Sequence, residues 1–412
     1  MDNKNKKPCL LVIASKEMED WEKICSNYKE KFNIYQSTWD EILLTSYSDC
    51  ERPQATLRDS KNKKTQSIQP DLVLIRNLAH SIGSRLGNNP DYRNILYGFY
   101  HSNTPLINGL NALIAELEKP IMYGRLRYIR DKVGEKEFPL IKQYYYPEYC
   151  QMAITPSAPF VLKVGFPHAG YGKIRVFDYH QFEDLASIVA VNNTYSSTEP
   201  LIDVDYELRI VFIAPNYYRV HKRMSMGWKV NFGMTNIRED VEMNSRWKKW
   251  VDLIFQNYPD MLTFDIDAIV DKNGNEYILE VNGSSQGFSP EHEKEDLNHM
   301  KNMVIMKIEE ISGNNNILEK DKRTPELENL FIHNKNDIQV QKSDDKDIEI
   351  INLKNNIEHL KNELDYINNE YQYLISKKNL NFEKSGNFNF KFYIFFGLII
   401  VLIISLIINI KK

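Results

Sequence analysis

Between Thr263 and Ser289 the chain reads TFDIDAIVDKNGNEYILEVNGSSQGFS, two apolar-rich runs that meet at Asn273-Gly274. Asn-Gly suits a two-residue type I′ turn better than any other dipeptide, so this stretch is expected to double back as an antiparallel hairpin. With that turn, Asp267 stands opposite Glu280 and Asp265 opposite Asn282. Side chains alternate across a strand, so these four share one face, while Ile266, Ala268, Leu279 and Val281 share the other. Opposed carboxylates about 5 Å apart at Cβ repel one another. A hard divalent cation bridging oxygen ligands turns that cost into a site, as in Mg²⁺ centres that share their metal with nucleotide phosphates. The competing reading is a solvated acidic hairpin, the usual fate of surface charge. Cations upstream in the chain decide for the metal.

A chain of 412 residues has room for two globular domains with additions, and 24 Tyr and 19 Phe supply a large core. The net charge of −4 gives no basic field for nucleic acid. Cys9, Cys25, Cys50 and Cys150 lie far apart without a CxxC pair, which reads as reduced structural thiols and neither a disulfide framework nor a zinc site. The N-terminal MDNKNKKPCLLVIAS has only a short apolar run before Lys16 and Glu17, the signature of a first strand and not of a signal peptide. The opposite end differs. Phe392 to Ile408 carries no charge and sits between Lys391 and Lys411-Lys412. As a helix it spans roughly 25 Å, close to the hydrocarbon core, and it lacks the polar face of a buried helix. A transmembrane tail anchor is expected over 392–410, with the rest of the chain on the cytosolic side.

Short β-rich runs at 8–14 and 70–76, with helical stretches near 17–31 and before Pro105–Leu113, predict an α/β domain with a parallel sheet over 1–111. The polar segment 51–69 reads as an exposed loop. From 112 to 312 helical patterns near 119–133, 180–192, 240–257 and 291–311 mix with strand patterns near 160–165, 173–177, 206–213 and 217–223. That order predicts an α+β domain. Residues 313–347 are rich in Asn, Lys and Asp and read as a flexible linker. Ile350, Leu353, Ile357, Leu360, Leu364, Ile367, Tyr371 and Leu374 then alternate spacings of three and four, a coiled-coil seam over 348–378 followed by a juxtamembrane segment, 379–391.

The stretch FVLKVGFPHAGYGK at 160–173 places Lys163 on a buried-type strand and follows it with a loop holding Gly170 and Gly172, closed by Lys173. Glycines let backbone N–H groups approach phosphates, and the lysines supply charge. Alone, such a loop is more often a plain turn; the acidic hairpin a hundred residues later gives it meaning. Lys119, in Glu-Lys-Pro at a helix start, can reach a phosphate. Glu199 to Ile202 ends a helical region and can face an adenine ring, or can be a simple turn. Arg209 and Lys229 complete a set of cations able to converge on a triphosphate, with surface ion pairing as their alternative.

Residues 8–310, about three quarters of the chain, resemble the synapsins. The likeness runs through PDLVLIR, PLINGLNAL before EKP, EFPLIKQYYYP, HAGYGK, FEDLASIVAVNNTYSSTEPLID, GWKVNFG, RWKKWVDL, EVNGSS and HEKED. It implies a pre-ATP-grasp α/β domain followed by an α+β ATP-grasp domain. It also implies ATP as cofactor, held by Lys119, Lys163, Gly170, Gly172, Lys173, Glu199, Ile202, Arg209 and Lys229. Asp267 and Glu280 occupy the family's metal positions. Synapsins typically carry Glu in place of Asp267 and lack Asn282, so the triad Asp267, Glu280 and Asn282 is nearer the general ATP-grasp pattern and implies Mg²⁺, with Ca²⁺ as the alternative. The family's Arg-rich phosphorylation segment and Pro-rich tails have no counterpart in this sequence. By resemblance the protein binds ATP and tethers or clusters vesicles on a synaptic or secretory vesicle membrane, regulating neurotransmitter secretion or exocytosis, as a homodimer or higher oligomer. No reaction is implied. The alternative is an ATP-grasp carboxylate–amine or carboxylate–thiol ligase anchored to a cytosolic membrane face.

Overall fold

The computed structural model describes residues 7–50, 52–60, 62–80, 91–154, 158–165, 171–192, 194–224 and 237–313. Gly170, Lys229 and the segments read as linker, coiled coil, juxtamembrane stretch and membrane anchor beyond Gly313 lie outside them. Among the described residues no helix is long and apolar enough to cross a membrane.

The first domain comprises β1 (Cys9–Ile13), α1 (Trp21–Ile24), β2 (Asn33–Ser37), β3 (Ile42–Thr45), β4 (Gln54–Asp59), β5 (Lys64–Ile68), β6 (Leu72–Ile75), α2 (Arg93–His101), β7 (Leu106–Ile107) and α3 (Leu110–Leu117). Its main sheet is parallel, in the order β2-β1-β6-β7. A parallel strand covered on both faces needs apolar residues at every position. In β1, Leu10 and Val12 enter one core while Leu11 and Ile13 enter another, and Leu72, Leu74, Val73 and Ile75 of β6 divide the same way. Two expectations fail here. The segment 51–69 is not a loop: β4 and β5 join β3 in a three-stranded antiparallel sheet. Thr56, Ser67 and Thr65 fill the outward positions of a half-solvated sheet, and Gln66 is exposed on the other face, so polarity disguised the period of two. The helix near 17–31 shrinks to α1 and a 3₁₀ turn, Ser26–Tyr28, since Ser26-Asn27 favours turn backbone.

The second domain contains α4 (Lys119–Val133), β8 (Tyr144–Tyr146), β9 (Phe160–Val164), β10 (Lys173–Val176), α5 (Tyr179–Asn192), β11 (Ser196–Pro200), β12 (Val204–Ile213), β13 (Tyr217–Met224), β14 (Ile237–Val241), α6 (Ser245–Asn257), β15 (Thr263–Asp271), β16 (Glu276–Asn282) and α7 (Glu293–Ser312). Two antiparallel sheets result, ordered β10-β9-β11-β8 and β14-β13-β12-β15-β16. The smaller has its own core of Tyr146, Phe160, Leu162, Val176 and Phe182. The larger packs Ile210, Phe212, Phe264 and Ile266 against Trp250 of α6 and Met303 of α7. The helix expected from 240 begins only at Ser245, because the Asn244 side chain caps it by accepting from Trp247 N–H at 2.8 Å, and Ile237–Val241 is an edge strand.

The hairpin of β15 and β16 forms, by a different turn. Gly274 N–H donates to Asp271 O and Asp271 N–H to Asn275 O, with Gly274 at φ +81°, so the loop is a type I turn closed by a left-handed glycine. This shifts the register by one near the turn: Val270 faces Glu276 and Ala268 faces Ile278. A bulge at Leu279 then restores it, so Asp267 does face Glu280 and Asp265 does face Asn282. The core face is therefore Ile266, Ala268, Ile278 and Val281, and Leu279 leaves it.

Candidate nucleotide and metal site

The bulge places Leu279 and Glu280 on the same side, and both line a cleft bounded by Lys119, Met122 and Tyr123 of α4 and by Lys163, Lys173 and Tyr195 of the small sheet region. With its open mouth the cleft measures about 600 Å³. Lys119, the first residue of α4, puts its ammonium 3.3 Å from Glu280 Oε2 and 3.3 Å from Asn282 Oδ1. Lys173, paired across the strands with Lys163, reaches Glu280 Oε1 at 3.4 Å. Burial pushes the Glu280 carboxyl up, but Lys119, Lys173 and Lys163 outweigh it and hold the group well below the usual carboxylate range. Glu280 conversely raises the Lys173 ammonium.

Lys163 bonds the buried Glu199, which also accepts from Gln143 Nε2 at 3.0 Å. Glu199 thus lies on strand β11 and does not end a helix; the α5 pattern stops earlier, and the chain re-enters the sheet. Gly172 adopts φ +63° at the turn into β10, where its carbonyl accepts from Val164 N–H. Ile202 follows β11, half-buried, and is not among the residues lining the cleft.

Arg209 pairs with the carboxylates of β15. On β12 it faces Asp267 of β15, and its Nη2 donates to Asp265 Oδ2 at 2.6 Å, with Asp267 Oδ1 3.7 Å from Nη1. Sequence reasoning missed Arg223, which donates to Asp267 at 2.7 Å and pairs with Glu207 at 3.2 Å. The signal was available: Arg219, His221 and Arg223 alternate along β13, so all three point to one buried face. Burial, opposed by Arg223 and reinforced by Asp267, raises Glu207 to about 7. Burial raises Asp265 as well, against the pull of Arg209. Burial and then Arg219 and Arg223 press His221 down to about 3, so it is neutral.

The candidate metal set has two carboxylates and one amide. Among the described residues no three His, Cys, Asp or Glu side chains are gathered for a metal. The donors nevertheless fit a hard cation shared with phosphates, which takes only one or two carboxylates from protein. Asn282 Nδ2 lies 3.3 Å from Asp267 Oδ2, and the Lys119 ammonium already stands between Glu280 and Asn282 as a cation between two oxygen donors.

A five-stranded antiparallel sheet carrying the acids, a small sheet carrying lysines over a cleft, and a parallel-sheet domain ahead of both define an ATP-grasp protein with its pre-ATP-grasp domain. Residues 3–106 match the synapsin pre-ATP-grasp domain and residues 108–310 the synapsin ATP-binding domain. The chain belongs to the synapsin family. It is 26% identical over 312 residues to the synapsin of Drosophila melanogaster, a match covering 73% of this chain and 30% of that protein. The chain thus spans under a third of its relative's length. Among solved structures it is similar to D-alanyl-alanine synthetase A from Vibrio cholerae, with TM-score 0.51 and 13% identity over 75% of this chain and 99% of that one. It is also similar to the ATP-grasp ligase PsnB complexed with a phosphomimetic variant of its minimal precursor, Mg and ADP. That match has TM-score 0.52 and 13% identity over 74% and 100%. At these identities the likeness concerns the fold alone.

Proposed function

We propose that the cleft binds ATP with a divalent cation, Mg²⁺ in preference to Ca²⁺, and that the nucleotide serves as a ligand in a protein that tethers or clusters vesicles, regulating secretion. The observation that carries the nucleotide reading is the Lys119–Glu280–Lys173 arrangement, in which two ammonium groups share one carboxylate in the lining of the cleft and leave a net positive charge there. Each group has a natural substitute in a nucleotide–metal complex: phosphate oxygens for the lysines and the cation for the acid. Lys119, Lys163 and Lys173 would hold phosphates, and Met122, Tyr195 and Leu279 would face the base. Asp267, Glu280 and Asn282 would hold the ion, which supplies charge neutralisation to the phosphates. Gly170 and Lys229 join this set by the family resemblance. Synapsin membership and the charge-free run Phe392–Ile408 support the vesicle and membrane part of the reading.

A ligase would need a cation to hold the developing acyl phosphate. Arg209, paired with Asp265 and Asp267, is the candidate; membership of the synapsin family is what favours the non-catalytic reading. The test is to incubate the full-length protein with ATP, Mg²⁺ and a panel of amino acids. The expected result is tight ATP binding with negligible ADP; substrate-dependent ADP formation would replace this reading by the ligase.

A further inference from the structure

The segment that follows the candidate metal ligands, Gly283-Ser284-Ser285-Gln286, is gripped from two sides by buried ions. Glu116, near the end of α3 and 2% exposed, accepts from the N–H groups of Gly283 and Ser285 and from the Ser285 hydroxyl. Arg76, which follows β6 and is 5% exposed, donates to the carbonyls of Ser284 and Gln286. The Ser284–Ser285 peptide group therefore turns its N–H toward a carboxylate and its C=O toward a guanidinium. Arg76 is itself held by Glu19 at 2.5 and 2.9 Å and lies over the Phe288 ring at 4.8 Å. A methyl group on Gly283 would collide with Glu116 Oε2, so the glycine of EVNGSS is what lets the carboxylate reach the backbone.

Lys119 lies three residues beyond Glu116, at the start of the next helix, and ties down the same strand end through Glu280 and Asn282. A nucleotide that draws Lys119 onto its phosphates removes that tether. The β15 ladder then holds Glu280 and Asn282 from one side, and the grip on 283–286 fixes the end of the strand just beyond them.

Resting on the nucleotide–metal reading above, we propose that Glu116 and Arg76 are positioning residues for the divalent cation, setting its affinity through the backbone of 283–286 without touching it. Side chains that orient metal ligands from behind are worth about 10–100-fold in metal affinity. Glu116→Gln sets an amide NH2 against a backbone N–H that the carboxylate accepts from, and Arg76→Lys loses the planar fork that serves Ser284, Gln286 and both Glu19 oxygens together. Ser285→Ala, a milder change, removes only the hydroxyl donor.

The experiment titrates full-length wild type and the three variants by calorimetry with ATP plus Mg²⁺ and with ATP plus EDTA, after thermal melts show cooperative folding. E116Q and R76K are expected to bind about 10–100-fold more weakly with Mg²⁺ and within about twofold of wild type in EDTA, with S285A shifted less in the same direction. A purely structural role would weaken both arms alike, and that result overturns the inference, as does wild-type affinity of E116Q and R76K with Mg²⁺. If either fails to fold, the S285A split decides in the same way. Wild type showing no Mg²⁺-dependent nucleotide binding would overturn the site assignment and this inference together, whereas normal wild-type binding with unsplit variants overturns this inference alone.

Discussion

Glu280→Gln removes one negative charge at nearly constant volume from a carboxylate that holds Lys119 at 3.3 Å and Lys173 at 3.4 Å. At an effective dielectric of about 20, each contact is worth about 5 kcal/mol before desolvation is counted. Breaking a buried pair costs about 3–5 kcal/mol, and the side chain is 23% exposed, so the nucleotide-free variant should lose about 3 kcal/mol of stability. Because its folded pKa is depressed, Glu280 stabilises above the unfolded value near 4.5, and this contribution fades as pH falls below it. Variant and wild type should therefore converge in stability in acid. Binding separates two roles of the group. Without Mg²⁺, wild-type lysines must leave Glu280 to meet phosphate, whereas in the variant they are already released. E280Q should bind Mg²⁺-free ATP tighter by about tenfold, or ~1.4 kcal/mol. With Mg²⁺ the ranking reverses, since the ion has lost a ligand. Calorimetry in EDTA and in Mg²⁺ reads both signs. Equal weakening in the two buffers, or undiminished enhancement by Mg²⁺, would refute the reasoning.

Glu207 is raised to about 7 mainly by burial, so it destabilises as pH rises from about 4.5 to 7, when the unfolded state sheds a proton that the folded state keeps. Glu207→Gln should gain on wild type by up to ~3 kcal/mol across that window in urea titrations; comparing the two cancels the opposite trend from His221, whose depressed value costs stability below about 6.5. Asp296, fully buried, accepts from Arg219 at 2.5 and 3.1 Å and from Tyr217 at 2.9 Å, so Asp296→Asn should cost about 3–5 kcal/mol in denaturant midpoint by leaving Arg219 without its counter-charge. Deleting 391–412 should move the protein from the membrane pellet to the supernatant, and continued pelleting would count against the anchor.

The pairing of Asp267 with Glu280 and of Asp265 with Asn282 was legible because period-two alternation is local and a buried face punishes a slipped register. The route to it was not legible. The turn chosen was one residue longer than Asn-Gly suggests, and only the compensating bulge at Leu279 brought the acids back into line. Lys119 at the start of α4 was readable because Glu118-Lys119-Pro120 has the chemistry of a helix N-terminus. The strands β4 and β5 were hidden by Thr56, Thr65 and Ser67 on their solvent side and by Gln66, exposed on the other. Glu116, Arg76 and Arg223 escaped notice since their meaning comes from partners 169, 208 and 44 residues away. No spacing rule reaches that far.

The account stands or falls on whether oxygen donors of β15 and β16 share an ion with a bound nucleotide. Crystals grown with Mn²⁺ and a non-hydrolysable ATP analogue, measured at the manganese edge, test it directly. The account predicts an anomalous peak within bonding distance of Asp267, Glu280 and Asn282 and of phosphate oxygens, with Lys119 and Lys173 turned onto the phosphates. A nucleotide bound in the cleft with the Lys119–Glu280–Lys173 contacts intact and no peak beside those donors would contradict it.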